Sequence, residues 1–216
     1  MGSIPESAFG KAQWARYFGD IGIEPPLPRD IQQTLRAPCP FFPGKTVGES
    51  HLLVLIPRTV NGRPLTLTTL EELVKAPREG QATQYRYKWA AFFEEHGNRT
   101  TNESHWVLMT RDVIAGSRNK TYAQQQALLG ETARRTGIDY EVPTALEAAV
   151  CIFMRYMISG KRLFSDSPST YTRCKEATAG YQGVVGEFSL AGLYVDNFHS
   201  SFGNASNGLA ALRSLR

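Results

Sequence analysis

The longest apolar stretch of the chain, Val142–Gly160 (VPTALEAAVCIFMRYMISG), has the spacing of a helix that is hydrophobic nearly all round. Pro143 pre-sets φ at a first helical position, and Gly160 offers a left-handed stop. Such a helix belongs inside a protein or inside a membrane. Glu147 and Arg155 interrupt the run, which therefore falls short of the roughly 20 uninterrupted apolar residues that cross a bilayer. The pattern predicts a buried central helix at about 143–159, with Leu146, Val150, Phe153, Met154 and Met157 in the core, and no membrane span.

The other segments arrange themselves before and after it. Residues 7–18 read as a first helix, capped by Ser7, with Trp14, Tyr17 and Phe18 on one stripe. Glu24–Pro28 is an extended proline-rich connector, and residues 29–36 form a short helix. His51–Ile56 (HLLVLI) and Trp106–Thr110 (WVLMT) are apolar runs suited to buried strands. Between them, Asn61-Gly62 signals a hairpin, because both turn residues tolerate positive φ. Thr68 and Glu71 have capping-box spacing for a helix at 69–75. Tyr85, Trp89, Phe92 and Phe93 predict one amphipathic helix over 84–96; Tyr85–Trp89 read as a strand would instead form an aromatic stacking platform. Thr121 and Gln124 make a second box, for a helix ending near Thr136 at Gly137. Beyond the central helix, residues 171–174, 181–188 and 192–197 are strand-like, 198–207 is expected to be a mobile loop, and 208–215 is either a strand or a short helix. The mixture predicts an α+β fold: residues 1–216 as a single domain, a mixed sheet packed on the central helix, and residues 1–28 as an N-terminal helix plus connector.

Composition changes this picture little. With 42% hydrophobic and 20% charged residues in 216, the chain has the makeup of an ordinary globular protein. A net charge of +4, spread along the chain, does not call for nucleic acid as a partner. Cys39, Cys151 and Cys174 are odd in number and lack zinc-site spacing, so free thiols in a reducing, cytoplasmic setting are expected. MGSIPESAFGK has neither a basic nor an apolar signal-peptide region, and Met1-Gly2-Ser3 reads as a tag remnant.

Two groups of residues carry candidate chemistry. Arg111–Lys120 (RDVIAGSRNK) joins a strand to a capped helix; amides at a helix start, with cations nearby, suit an anion. Ser117, Arg118, Lys120, Thr121 and Gln124 are the candidate anion ligands, although the box at Thr121 and Gln124 competes for the same amides. The second group comes from a short repeat. Glu49-Ser50-His51 precedes one apolar run, and Glu103-Ser104-His105 precedes the other. Were the two strands parallel neighbours, His51, His105, Glu49 and Glu103 would share an edge and form a metal-ligand set. Neither a phosphate-binding Gly-x4-Gly-Lys loop nor a Gly-x-Ser-x-Gly elbow is present, and no cofactor is expected.

The segments EPPLP, APCPFFPGK, HLLVLIP, WVLMTRDVIAGSRNKTYAQQ, LFSDSPSTYTRC and GYQGVVGEF, spread over residues 14–195, resemble uncharacterised proteins from amoeba-associated, chlamydia-like bacteria. The resemblance implies a bacterial protein, cytoplasmic or delivered into a host cell, and carries over no site residues. Two functions are open. One is a protein-binding module without catalytic activity, whose partner is another protein. The other is an enzyme acting on a phosphorylated or otherwise anionic substrate through the 111–124 loop and the strand-start histidines.

Overall fold

Trp14 anchors the first helix, α1 (Lys11–Tyr17), to the body of the protein: it is fully buried, and its indole N–H donates to the Leu55 carbonyl at 2.9 Å. The computed structural model describes residues 8–215; Ser7, expected to cap this helix, and Met1-Gly2-Ser3 lie outside them. Gly10 takes the cap position instead. Two short helices follow, α2 (Ile31–Arg36) and α3 (Val47–Ser50), and α3 leads straight into β1 (His51–Ile56), which is buried throughout. The Asn61-Gly62 turn forms as expected, both residues at positive φ, joining β2 (Thr59–Val60) to β3 (Arg63–Pro64). Helix α4 (Leu67–Lys75) begins two residues earlier than its sequence predicts. Thr66 and Thr69 exchange hydrogen bonds and form the box in place of Thr68 and Glu71.

The stripe at 84–96 is two elements, not one helix. Residues Tyr85–Lys88 form a strand, β4, and a helix, α5, covers Ala90–His96. Trp89 is extended and gives its N–H to the Val195 carbonyl. The helical periodicity was real for the aromatics, but a free strand edge farther along the chain captures the first four residues; tertiary pairing overrides local pattern. Tyr85 still reaches the core, 5.4 Å from the Phe153 ring. Next come β5 (His105–Thr110) and α6 (Tyr122–Thr136), the latter closed by Gly137 at φ 68°.

The central helix, α7 (Ala145–Ser159), is buried on nearly every face, including all five residues expected in the core. Thr144, rather than Pro143, sets its start by accepting from the Glu147 amide; Gly160, at φ 66°, ends it. Three long strands then form a meander: β6 (Tyr171–Thr178), β7 (Tyr181–Ser189) and β8 (Gly192–His199). The short β9 (Asn207–Gly208) and β10 (Leu212–Leu215) finish the chain, so its last segment is strand. Loop residues 200–206 are fastened by Arg173, buried in β6, which donates to the carbonyls of His199 and Phe202.

The strands make two main sheets. One is antiparallel, in the order β1-β5-β10; the other is mixed, in the order β4-β8-β7-β6-β9, with β4 parallel to β8 and β9 parallel to β6. Helix α7 packs on β1 of the first sheet, on β6 and β7 of the second, and on α4. The fold is therefore a mixed α+β domain with a central helix against a mixed sheet. A helix packed on both sheets and on α4 keeps little solvent face, which explains its nearly all-round hydrophobicity. Among the described residues no helix is long and apolar enough to cross a membrane.

Candidate functional site

The capping box that starts α7 also builds a polar cleft. The end of β5 carrying His105 lies opposite Ile56, the last residue of β1. Thr144 and Glu147 come from the first turn of α7, Lys175 and Glu176 from β6, and Arg99 and Thr101 from the loop before β5. Together with Glu141 they line a cleft of about 250 Å³.

At its centre is a buried ion pair. His105 Nε2 lies 3.0 Å from Glu147 Oε1, with side-chain exposures of 7% and 10%. The other ring nitrogen, Nδ1, faces the Glu103 carbonyl at 3.1 Å. Glu147 is an acceptor when ionised, so the contact is an ion pair when the His105 ring is protonated; the Thr101 hydroxyl also lies 3.5 Å from Nδ1. Glu147 Oε2 accepts from the amide and the hydroxyl of Thr144, both at 2.8 Å. Burial would raise the Glu147 carboxyl, but the bonds from His105 and Thr144 outweigh it and hold the group below the usual carboxylate range.

Glu176 is pushed the other way. Burial is the main cause and the neighbouring Glu147 adds to it; the Ala145 amide, donating at 2.9 Å, only partly offsets them. One cleft thus contains one carboxyl held below the usual carboxylate range and one pushed above it. Lys175 pairs with Glu141, and Arg99 lies 3.6 Å from Glu95. Both cations are substantially exposed, and both line the cleft.

The metal set expected from the repeat does not assemble. Strands β1 and β5 are antiparallel, so His51 faces Thr110 while His105 faces Ile56. Five residues of strand separate the two histidines, about 17 Å. Glu49 is engaged in the exposed cap of α3 with Thr46, and Glu103 contributes its backbone carbonyl to His105. Among the described residues no three His, Cys, Asp or Glu side chains are placed to hold a metal ion. The two copies of the repeat stand on strands that run in opposite directions.

The anion ligands expected at 117–124 are engaged by the protein itself. Thr121 and Gln124 close their box on each other, and the Tyr122 amide donates to Ser200. Arg118 donates to the Ala205 carbonyl and the Thr170 hydroxyl, and Ser117 is buried with its hydroxyl on Ile114. Lys120 sits at the same turn, where Gly203 packs against the Asn119–Lys120 backbone. The 198–207 segment meets this helix start, and the bonds of Ser117, Arg118, Thr121 and the Tyr122 amide are made within the protein, while Gln124 remains exposed.

His51, away from the cleft, has a different role. It is buried, with Nδ1 2.9 Å from the Ser50 hydroxyl and no partner for Nε2. Burial, reinforced by nearby Arg111 and only partly offset by a backbone bond to Val47, lowers its pKa from 6.5 to about 4. The folded state thus binds this proton less tightly than the unfolded one. Stability from the neutral ring is complete above pH 6.5 and is lost as the pH falls toward 4, by about 3 kcal/mol. Urea denaturation of wild type and His51→Gln between pH 7 and pH 4 is expected to show a shallower loss in the variant. Parallel curves would mean that His51 does not titrate in this window.

Three other cavities are larger, one of them, about 280 Å³, a shallow hollow beside Lys75, Gln84 and Leu190. Another, of about 310 Å³, lies between Phe18, Val60, Leu65 and Leu73; the third, of about 500 Å³, between Pro40, Phe41, Ile114 and Leu128. Their walls are mixed and carry no comparable convergence of buried titratable groups. Of the cleft residues, only His105 stood out in the sequence. Thr144-x-x-Glu147 is a capping-box signal that identifies Glu147 as more than an interruption of the apolar run. Glu176 and Lys175 carry no local signal, because only the packing of β6 beside α7 brings them to the cleft. No family model, curated protein or solved structure matches this chain.

Proposed function

We propose that the protein is an enzyme that transfers a proton to a small anionic substrate in the cleft beside His105. The observation that carries this is the convergence of Glu176 with the buried His105–Glu147 pair on one cleft that also has Lys175 and Arg99 on its walls. Glu176 is the general acid: its proton passes to a substrate oxygen as water displaces that oxygen from the substrate, and the proton released by the attacking water restores the acid. The His105–Glu147 pair supplies a fixed charge arrangement, held rigid by the α7 cap. Lys175 and Arg99 meet the anionic group. Two carboxyl groups whose surroundings push them in opposite directions are the usual mark of divided acid and base roles. One of the two histidines that begin the apolar strands, His105, is part of this site; the 111–124 loop is not.

A thermal-shift screen of phosphorylated and carboxylated metabolites, followed by NMR detection of product, tests the proposal. Compounds that stabilise wild type are expected to lose that effect in Lys175→Ala. Glu176→Gln is expected to retain binding, because its amide oxygen still accepts from Ala145, while turnover falls by about 100-fold or more. Wild-type turnover should decline on the alkaline side, as Glu176 loses its proton. Turnover equal in wild type and Glu176→Gln would remove the proposed acid, and the absence of any stabilising compound would count against an enzyme.

A further inference from the structure

The outer face of the five-stranded sheet has a feature that the cleft does not use. Register puts Thr172, Val185 and Val195 in one row, all buried against the core; the adjacent row of Tyr171, Gly186 and Tyr194 lies on the opposite face, where Gly186 is buried and the two tyrosines are half-buried. Tyr87 on β4 stacks on Tyr194, with centroids 5.9 Å apart and planes at 26°, and is 43% exposed. Gly186 adds no side chain between Tyr194 and Tyr171; a Cβ there would lie 2.2 Å from the Thr170 carbonyl oxygen, so the close strand approach requires glycine. The next residue, Glu187, is at φ 45° in an irregular part of β7, and its carboxylate accepts from the hydroxyls of Tyr171 and Ser169. Asp196, two residues along β8 from Tyr194, accepts from the Asn197 amide and side chain. Tyr171, Glu187, Asp196 and Tyr194 lie close enough to influence one another electrostatically.

Among the described residues neither carboxylate has an ion-pair partner. Arg118, which reaches this edge of the sheet at Thr170, donates to that hydroxyl and to Ala205 instead. On a protein of net charge +4, this patch is acidic and bordered by tyrosine rings. Guanidinium groups suit such a surface on two counts: they stack on aromatic faces and pair with carboxylates through paired N–H groups. We propose that this sheet face docks a basic, arginine-bearing segment of a partner protein, with Tyr194 and Tyr87 as the stacking surface and Asp196 and Glu187 as the charge partners. The site is separate from the proposed catalytic cleft, and neither depends on the other.

The probe is a short synthetic peptide of alternating arginine and glycine, titrated calorimetrically into the full chain at low ionic strength. Wild type is expected to bind, with affinity falling as salt rises. Asp196→Asn, which retains shape, and Tyr194→Ala are each expected to weaken binding about tenfold, and Glu176→Gln in the cleft to leave it unchanged. Tyr194→Phe retains the ring and is expected to bind nearly as wild type, which separates lost stacking from damage to the sheet. Three outcomes would overturn the proposal: no peptide binding, binding undiminished in both Asp196→Asn and Tyr194→Ala, or preference for a neutral oligosaccharide or a second copy of the chain over the peptide.

Discussion

Replacing Glu147 by alanine is expected to destabilise the protein by about 3–5 kcal/mol at neutral pH, the usual cost of removing one partner of a buried ion pair. Glu147 satisfies three donors: His105 Nε2 through one oxygen, and the amide and hydroxyl of Thr144 through the other. Alanine would remove the carboxylate that His105 Nε2 faces and open the start of the helix around which the core is packed. Glu147→Gln preserves an acceptor for Thr144 and is expected to cost less, about 1–3 kcal/mol. The pH dependence has a definite sign. Because the folded protein holds this carboxyl below its ordinary value, the charge contributes fully above the unfolded pKa and is lost as the pH falls through the folded one. The gap between wild type and Glu147→Gln should therefore narrow on acidification below about pH 4.5. Urea denaturation at several pH values measures both effects. A Glu147→Ala variant within about 0.5 kcal/mol of wild type, the range of ordinary surface changes, would show that the pair is not a structural element.

The second large effect is expected at Phe153. Phe153→Ala should cost about 3–5 kcal/mol, from lost apolar transfer and the cavity left behind. The ring is fully buried in the middle of α7, 5.4 Å from Tyr85 and 5.7 Å from Phe188, which it meets edge-on. It joins β4, β7 and the central helix, so nearby side chains cannot collapse into the space without moving both a strand and a helix. Ile158, on the same helix but 43% exposed, supplies the contrast, and Ile158→Ala should stay within about 0.5 kcal/mol of wild type. Equal denaturation midpoints for Phe153→Ala and wild type would mean that α7 is not the organising element.

Much of the fold was legible because its signals are local. The Gly137 and Gly160 stops, the Asn61-Gly62 turn and the Thr121–Gln124 box each lie within four residues, and the chain forms them where expected. The Tyr85–Trp89 segment shows the limit of local pattern. Its aromatics fit helical spacing, yet β8, more than a hundred residues later, pairs with Tyr85, Tyr87 and Lys88 and makes them a strand.

For the candidate site the division is sharper. By itself the sequence determined that α7 is a buried helix, that HLLVLI and WVLMT are buried strands, and that a histidine stands at the start of the first and just before the second. Those properties follow from composition and spacing along a short stretch of chain. Only the tertiary structure decided that the strands run antiparallel, which parts His51 from His105 and brings His105 to Glu147. It also placed Glu176 and Lys175 beside that pair, and brought the 198–207 segment against the helix start at Thr121. Strand direction and the packing of distant elements depend on which hydrophobic faces can be covered together. That is a property of the whole core, with no counterpart in the spacing of neighbouring residues.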